Sequence, residues 1–245
     1  MSENENKKVR PIMDNISKNI MLKRSDIQQV IEQYEDYHKV HLRDASYDFC
    51  YSYFQQNRGN LSSNMEHSCW VLWGYLASWG MLRNSKLMKC SPAALKPLIK
   101  YLDNLKNDNI WDIDVPDYKS SDICSKILKI FTQIAEIVDE KIDVSDTITL
   151  ITKIMMGVFG CVPAYDANFT KAFKSMCWLE GNRVCAFSVF NNDTLECILD
   201  FYKSNKVELD KVNIYAVNFS GVKTNVRYKI AKLIDMYGFA KGEKE

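Results

Sequence analysis

Glycine and proline are scarce in this chain, 9 and 5 of 245 residues. Turn-rich all-β architectures need both, so the scarcity predicts long helices joined by few loops, an all-α fold. With 47% hydrophobic and 26% charged residues, a chain of this length can bury a sizeable core. The expectation is a flexible N-terminal arm at 1–24 and a single compact multi-helix domain at 25–245. That domain is built either as one body or as two packed lobes with a central cleft.

Local signals divide it further. Ser25 reads as the N-cap of a helix over 25–40, with Ile27, Val30, Ile31 and Tyr34 at helical spacing. A second helix covers 46–56. Residues 65–83 are apolar nearly all round, which predicts the central helix. Ser91 and Pro92 open another helix, and 107–122 reads as a loop. Helices follow over 121–140 and 145–158. Gly157, Gly160 and Pro163 break the chain before Asp166 opens the next helix, and the polar run 191–193 caps one that reaches 204. The alternating stretch 211–219 is a short strand or an extended loop, with strand confined to 207–221. The last helix covers 225–237, with Gly238 as its stop.

Composition narrows function mainly by exclusion. Net charge is +1, so no global polycation marks a nucleic-acid partner. The charge is uneven, however: 103–146 is acidic, whereas both ends are basic. Lys7, Lys8, Arg10, Lys18, Lys23 and Arg24 lie at one end, and Lys223, Arg227, Lys229 and Lys232 at the other. On one face these ends would attract phosphate; as solvated helix faces they would not. The eight cysteines form no CxxC pair, which predicts reduced, mostly buried thiols rather than zinc ligands or disulfides. His38, His41 and Glu35 share a helix face, an arrangement more usual for exposed side chains than for a metal site, so no metal or other cofactor is expected. The apolar run 70–82 falls short of the about 18–20 residues a membrane span needs, and the polar N-terminus has no signal-peptide core. The expected location is the cytoplasm, with no membrane partner. No P-loop, GxGxxG, GxSxG or kinase motif occurs.

One segment carries chemistry. Residues 148–173, ITLITKIMMGVFGCVPAYDANFTKAF, run from an apolar helix through a glycine turn and Pro163 to Asp166 at a new helix start. Taken alone, Asp166 could be only an N-cap, a role Asn fills nearly as well, at a cost under about 1 kcal/mol. The whole run resembles the heart of the helix-hairpin-helix DNA glycosylase superfamily. Gly160, Pro163, Asp166, Asn168 and the helix carrying Lys171 are the matching positions, within some 26 of the 245 residues.

The resemblance implies a helix-hairpin-helix glycosylase-like fold and cleavage of the N-glycosidic bond of an extruded base in DNA, either modified or unmodified. A carboxylate at Asp166 would stabilise the sugar cation or activate water. Asn168, Lys171, Lys174 and Arg83 would touch DNA, and Tyr165, Trp73, Trp79 and Tyr51 would hold the base. The sequence also departs from the family. Its usual Leu-Pro-Gly-Val-Gly hairpin is missing from 144–152. The family's Schiff-base lysine would fall near Ile148, so Lys153 is either a displaced nucleophile or a surface residue. Cys177, Cys185 and Cys197 do not match an iron–sulfur pattern. A monofunctional, metal-free glycosylase for repair or antiviral defence is the version that survives. The alternative is a non-catalytic helical interaction or regulatory protein of a bacterial defence system. Oligomeric state has no signal in the sequence.

Overall fold

A computed structural model describes residues 27, 42–83, 86–142, 147–176, 178–179 and 183–244. The expected arm, the helix at 25–40 beyond Ile27, and the Glu35/His38/His41 set lie outside these residues. Eight α-helices make up most of the described chain. They are α1 (Ala45–Gln56), α2 (Met65–Ser78), α3 (Lys96–Asn104), α4 (Ser121–Ile142), α5 (Thr147–Phe159), α6 (Ala167–Met176), α7 (Asn192–Leu209) and α8 (Ile230–Lys244). The mostly helical architecture matches the expected class. Strand is confined to two antiparallel hairpins, β1 (Trp178–Leu179) with β2 (Arg183–Val184), and β3 (Tyr215–Val217) with β4 (Lys223–Arg227). Only β3 falls inside the expected 207–221 window. Among the described residues no helix is long and apolar enough to cross a membrane.

The central helix is α5 rather than α2. Residues 150–165 are all buried, and α5 packs against α1, α2 and α4. By contrast α2 turns Trp70 outward at 56% exposure, together with Gly74, Ala77 and Ser78. Helix α4 covers α5 through Ile127, Ile130, Ile134 and Val138, a stripe at three- and four-residue spacing. The capping box at Asn191 and Thr194 starts α7 where the sequence placed it, but the helix continues past 204, through a kink at Asn205.

Two sequence expectations fail for tertiary reasons. Residues 107–122 are not a solvent loop. Short 3₁₀ turns at Asn109–Trp111 and Val115–Lys119 bury Ile110, Trp111, Ile113, Val115 and Tyr118 in the core. Nor does Gly238 stop a helix. It lies inside α8, where an added Cβ would sit 2.6 Å from Phe169 Cδ2, and at Gly242 it would sit 2.0 Å from the Asn168 carbonyl oxygen. These two glycines, one turn apart, let α6 lie directly on α8.

Packing therefore makes glycines in two helices respond oppositely. Gly238→Ala must part α6 from α8 and should cost about 1–3 kcal/mol, the range for overpacked cores. Gly74 has nothing within 4 Å of an added Cβ. Gly74→Ala should therefore stabilise by about 0.5–1 kcal/mol, the ordinary helical gain. Urea unfolding of both variants checks the pair.

Candidate functional site

The segment that returns from α5 to α6 is stitched to α5 by two threonines. Thr149 Oγ1 donates to the Tyr165 carbonyl at 2.7 Å, and Thr152 Oγ1 accepts from Tyr165 N–H at 2.9 Å. Gly160, with φ of 64°, ends α5 in the left-handed conformation that starts the return. From α8, Asp235 Oδ1 accepts from Ala164 N–H at 3.0 Å. With residues 164 and 165 held from both sides, Asp166 emerges beside Lys153.

Asp166 then makes two different bonds. Its Oδ1 accepts from Phe169 N–H at 3.0 Å, the N-cap role read from sequence. Its Oδ2 lies 2.9 Å from Lys153 Nζ. Lys153 is not a surface residue, since its side chain is 2% exposed and that of Asp166 is 16% exposed. The pair is thus nearly enclosed, with the carboxylate on its more open side.

Above the pair lies Trp79, which follows the last turn of α2. Lys153 Nζ is 5.0 Å from its ring centroid, Lys232 Nζ 5.6 Å and the Arg43 guanidinium carbon 4.7 Å. One indole is therefore shared by three cationic side chains, each within cation–π range. Lys232 forms a second buried ion pair, 3.0 Å from Asp235, with side chains 1% and 8% exposed. Its Nζ also lies 4.3 Å from the Tyr47 ring centroid. Burial pushes the Tyr47 hydroxyl well above its ordinary pKa, and the nearby Tyr51, Tyr75, Asp48 and Asp235 add to the shift. Trp79 Nε1 and Tyr47 Oη are buried without a hydrogen-bond partner.

Of the residues singled out from sequence, the structure brings together Asp166, Lys153 and Trp79. Tyr165 is buried in an aromatic cluster with Phe169, Phe187 and Phe190, and Tyr51 is buried against Tyr47. Trp73 is half-buried against the core. Asn168 has its backbone against Gly242, and Lys171 Nζ lies 3.5 Å from the Gly242 carbonyl. Lys171, Lys174 and Arg83 are exposed. The basic C-terminal cluster does not form one outward face: Lys223 and Arg227 are exposed, but Lys232 is buried and Lys229 donates to backbone carbonyls. Sequence reasoning missed Asp235, Tyr47 and Arg43, and took Lys232 only as part of the basic C-terminal end. The available signal was a Lys and an Asp, three apart, inside the apolar run 230–239.

A cleft of about 680 Å³ opens beside this centre, between α1, α2 and the β3–β4 tip. Phe49, His67, Trp70 and Phe219 are among its lining residues, and Arg43 belongs both to it and to the Trp79 stack. Lys153 and Asp166 do not line it. Among the described residues no three His, Cys, Asp or Glu side chains gather as metal ligands. The seven described cysteines are free, and all but Cys90 are buried. Compared with protein-family models, with curated proteins and with solved structures, the chain matches none.

The Lys153 contact changes what Asp166→Asn should do. Asn keeps the cap but leaves a buried ammonium without its counter-charge, so unfolding free energy should fall by about 3 kcal/mol, not under 1. Adding Lys153→Met removes the stranded charge and should restore most of the loss. Equal stability of the single and double variants in urea would contradict the pairing.

Proposed function

We propose that this chain is a DNA glycosylase-like enzyme acting on an extruded base, with Lys153 and Asp166 as its reactive pair. The observation that carries the reading is the contact itself. An amine at the middle of the most deeply buried helix lies 2.9 Å from a carboxylate at the start of the next one, beneath a partly exposed indole. The DNA partner rests on the resemblance of residues 148–173 to helix-hairpin-helix glycosylases and on the exposed cations Lys171, Lys174 and Arg83.

The contact favours an amine nucleophile over water. Lys153 passes a proton to Asp166, and its lone pair attacks C1′ of the sugar. The C1′–N bond breaks with its electron pair leaving on the base, and the base takes the proton from Asp166. The carboxylate so restored stabilises the cationic adduct. Loss of a proton and ring opening give an imine, and water releases the sugar aldehyde and free Lys153. Removing one transition-state charge partner typically costs about two to three decades in rate.

A second reading has its own support. Asp166 Oδ1 is committed to the α6 N-terminus and the aromatic cleft lies elsewhere. Both features suit a non-catalytic interaction or regulatory protein that binds its partner in that cleft. Duplexes carrying diverse modified bases separate the readings, with alkali to reveal abasic sites and borohydride to trap an imine. The enzyme reading expects release and trapping with the native chain, and neither with Lys153→Met/Asp166→Asn, whose fold is retained. Base release by that double variant at the native rate would remove both residues from the chemistry.

A further inference from the structure

Four glycines lie inside described helices, and packing accounts for three of them. An added Cβ would sit 2.5 Å from the Tyr75 ring at Gly157, 2.6 Å from the Phe169 ring at Gly238 and 2.0 Å from the Asn168 carbonyl oxygen at Gly242. At Gly74 it would meet nothing within 4 Å among the described residues. Glycine weakens a helix relative to alanine, and no protein neighbour of Gly74 requires it. What Gly74 borders is the open cleft of about 680 Å³.

Three elements build that cleft. Helix α1 supplies Phe49 and Tyr53, α2 supplies His67, Trp70 and Gly74 at helical spacing, and the turn between β3 and β4 supplies Phe219. The Phe49 and Phe219 ring centroids are 5.2 Å apart, yet Phe219 is 84% exposed. Large aromatic side chains left in water around one hollow are a common mark of a ligand groove. The bare backbone at Gly74 adds a flat patch, which a planar ring can approach more closely than any side chain would allow.

Charge sets the other end of the ligand. No Asp, Glu or Lys is among the lining residues, and Arg43 is their one permanent charge. Its guanidinium lies 4.7 Å from the Trp79 ring centroid and 5.6 Å from that of Phe239. Among the described residues it makes no ion pair or hydrogen bond, so its forked N–H edge is unspent. A guanidinium meets a carboxylate through two parallel N–H···O bonds. One cation balances one negative charge, whereas a phosphate monoester brings about −1.5 to −2. We infer that the cleft is a binding site for a small planar aromatic monocarboxylate. The ring lies on Gly74 among Phe49, Trp70 and Phe219, and the carboxylate meets Arg43. Lys153 and Asp166 do not line the cleft, so this site stands apart from the glycosylase reading.

Calorimetric titration of the whole chain with four naphthalenes tests it. These are 2-naphthoate, its neutral amide, the cationic 2-naphthylmethylamine and the more highly charged 2-naphthyl phosphate. The acid should bind at least about tenfold more tightly than the amide, as a charge-assisted bidentate contact allows. The amine should bind more weakly than the amide, and the phosphate no more tightly than the acid. Arg43→Gln should erase the difference between acid and amide. Gly74→Leu fills the flat patch and should weaken the acid by at least about tenfold. Its melting temperature should not fall, because the new side chain enters empty space. Equal binding of acid and amide, tighter binding of the amine or the phosphate, or native affinity in either variant overturns the inference. So does a native chain that leaves the acid unbound at millimolar concentration.

Discussion

A single ammonium closes the carboxyl end of the central helix. Lys229 Nζ donates to the carbonyls of Phe159 at 2.8 Å, Trp111 at 2.7 Å and Ile113 at 2.9 Å. The last carbonyls of a helix have no partner within it and carry the negative end of its dipole, so a cation there satisfies both needs. The reciprocal contact runs from the 3₁₀ segment to the last helix. Asp114 accepts from Ile230 N–H at 2.7 Å and Ala231 N–H at 3.0 Å, which caps α8. Burial pulls the Lys229 pKa below its usual range, against the raising effect of Cys161 and Asp114. Burial pushes Asp114 up, against the lowering effect of its backbone donors and Lys229. Each charge therefore needs the other in place, and together they set where α8 begins.

What α8 carries follows from that start. Three residues after Lys229 comes Lys232, and six after it Asp235, both turned into the body. Asp235 takes the Ala164 N–H and so holds the return segment that delivers Asp166, while Lys232 lies on Tyr47 and Trp79. One turn further, Gly238 and Gly242 admit α6, whose first turn Asp166 caps. The site is thus a consequence of where one helix is anchored, and a shift of α8 would disturb the carboxylate and the indole together.

Much of this was legible in the sequence wherever the signal is local. Helices α1, α4, α5 and α7 were readable because apolar spacing, the capping run 191–193 and Gly160 act over a turn or two. Asp166 as a cap was readable for the same reason. Its pairing with Lys153 was not, because thirteen residues separate them and the distance closes only when Thr149 and Thr152 fold the return segment onto α5. Gly238 misled because a glycine that ends a helix and one that admits a neighbouring helix look alike until the neighbour is placed. Residues 107–122 misled because their Asp, Asn and Ser content suits a loop, whereas Ile110, Trp111, Ile113 and Val115 belong to the core.

The two enclosed ion pairs are the least economical feature of the core. Taking an ammonium and a carboxylate out of water costs several kcal/mol per ion, and apolar residues of similar volume are often as stable or more so. Apart from Thr152, helix α5 is otherwise apolar through its buried stretch, so a leucine or methionine at 153 would suit its packing. Stability alone therefore does not explain Lys153. The pair at Lys232 and Asp235 has a visible structural reason, since Asp235 binds a backbone N–H of the return segment. The carboxylate at 166 also has one, in the α6 cap, but that cap needs no lysine. Lys153 is left as the buried charge whose contacts are one carboxylate and one aromatic face. The proposed chemistry at the amine would account for that cost.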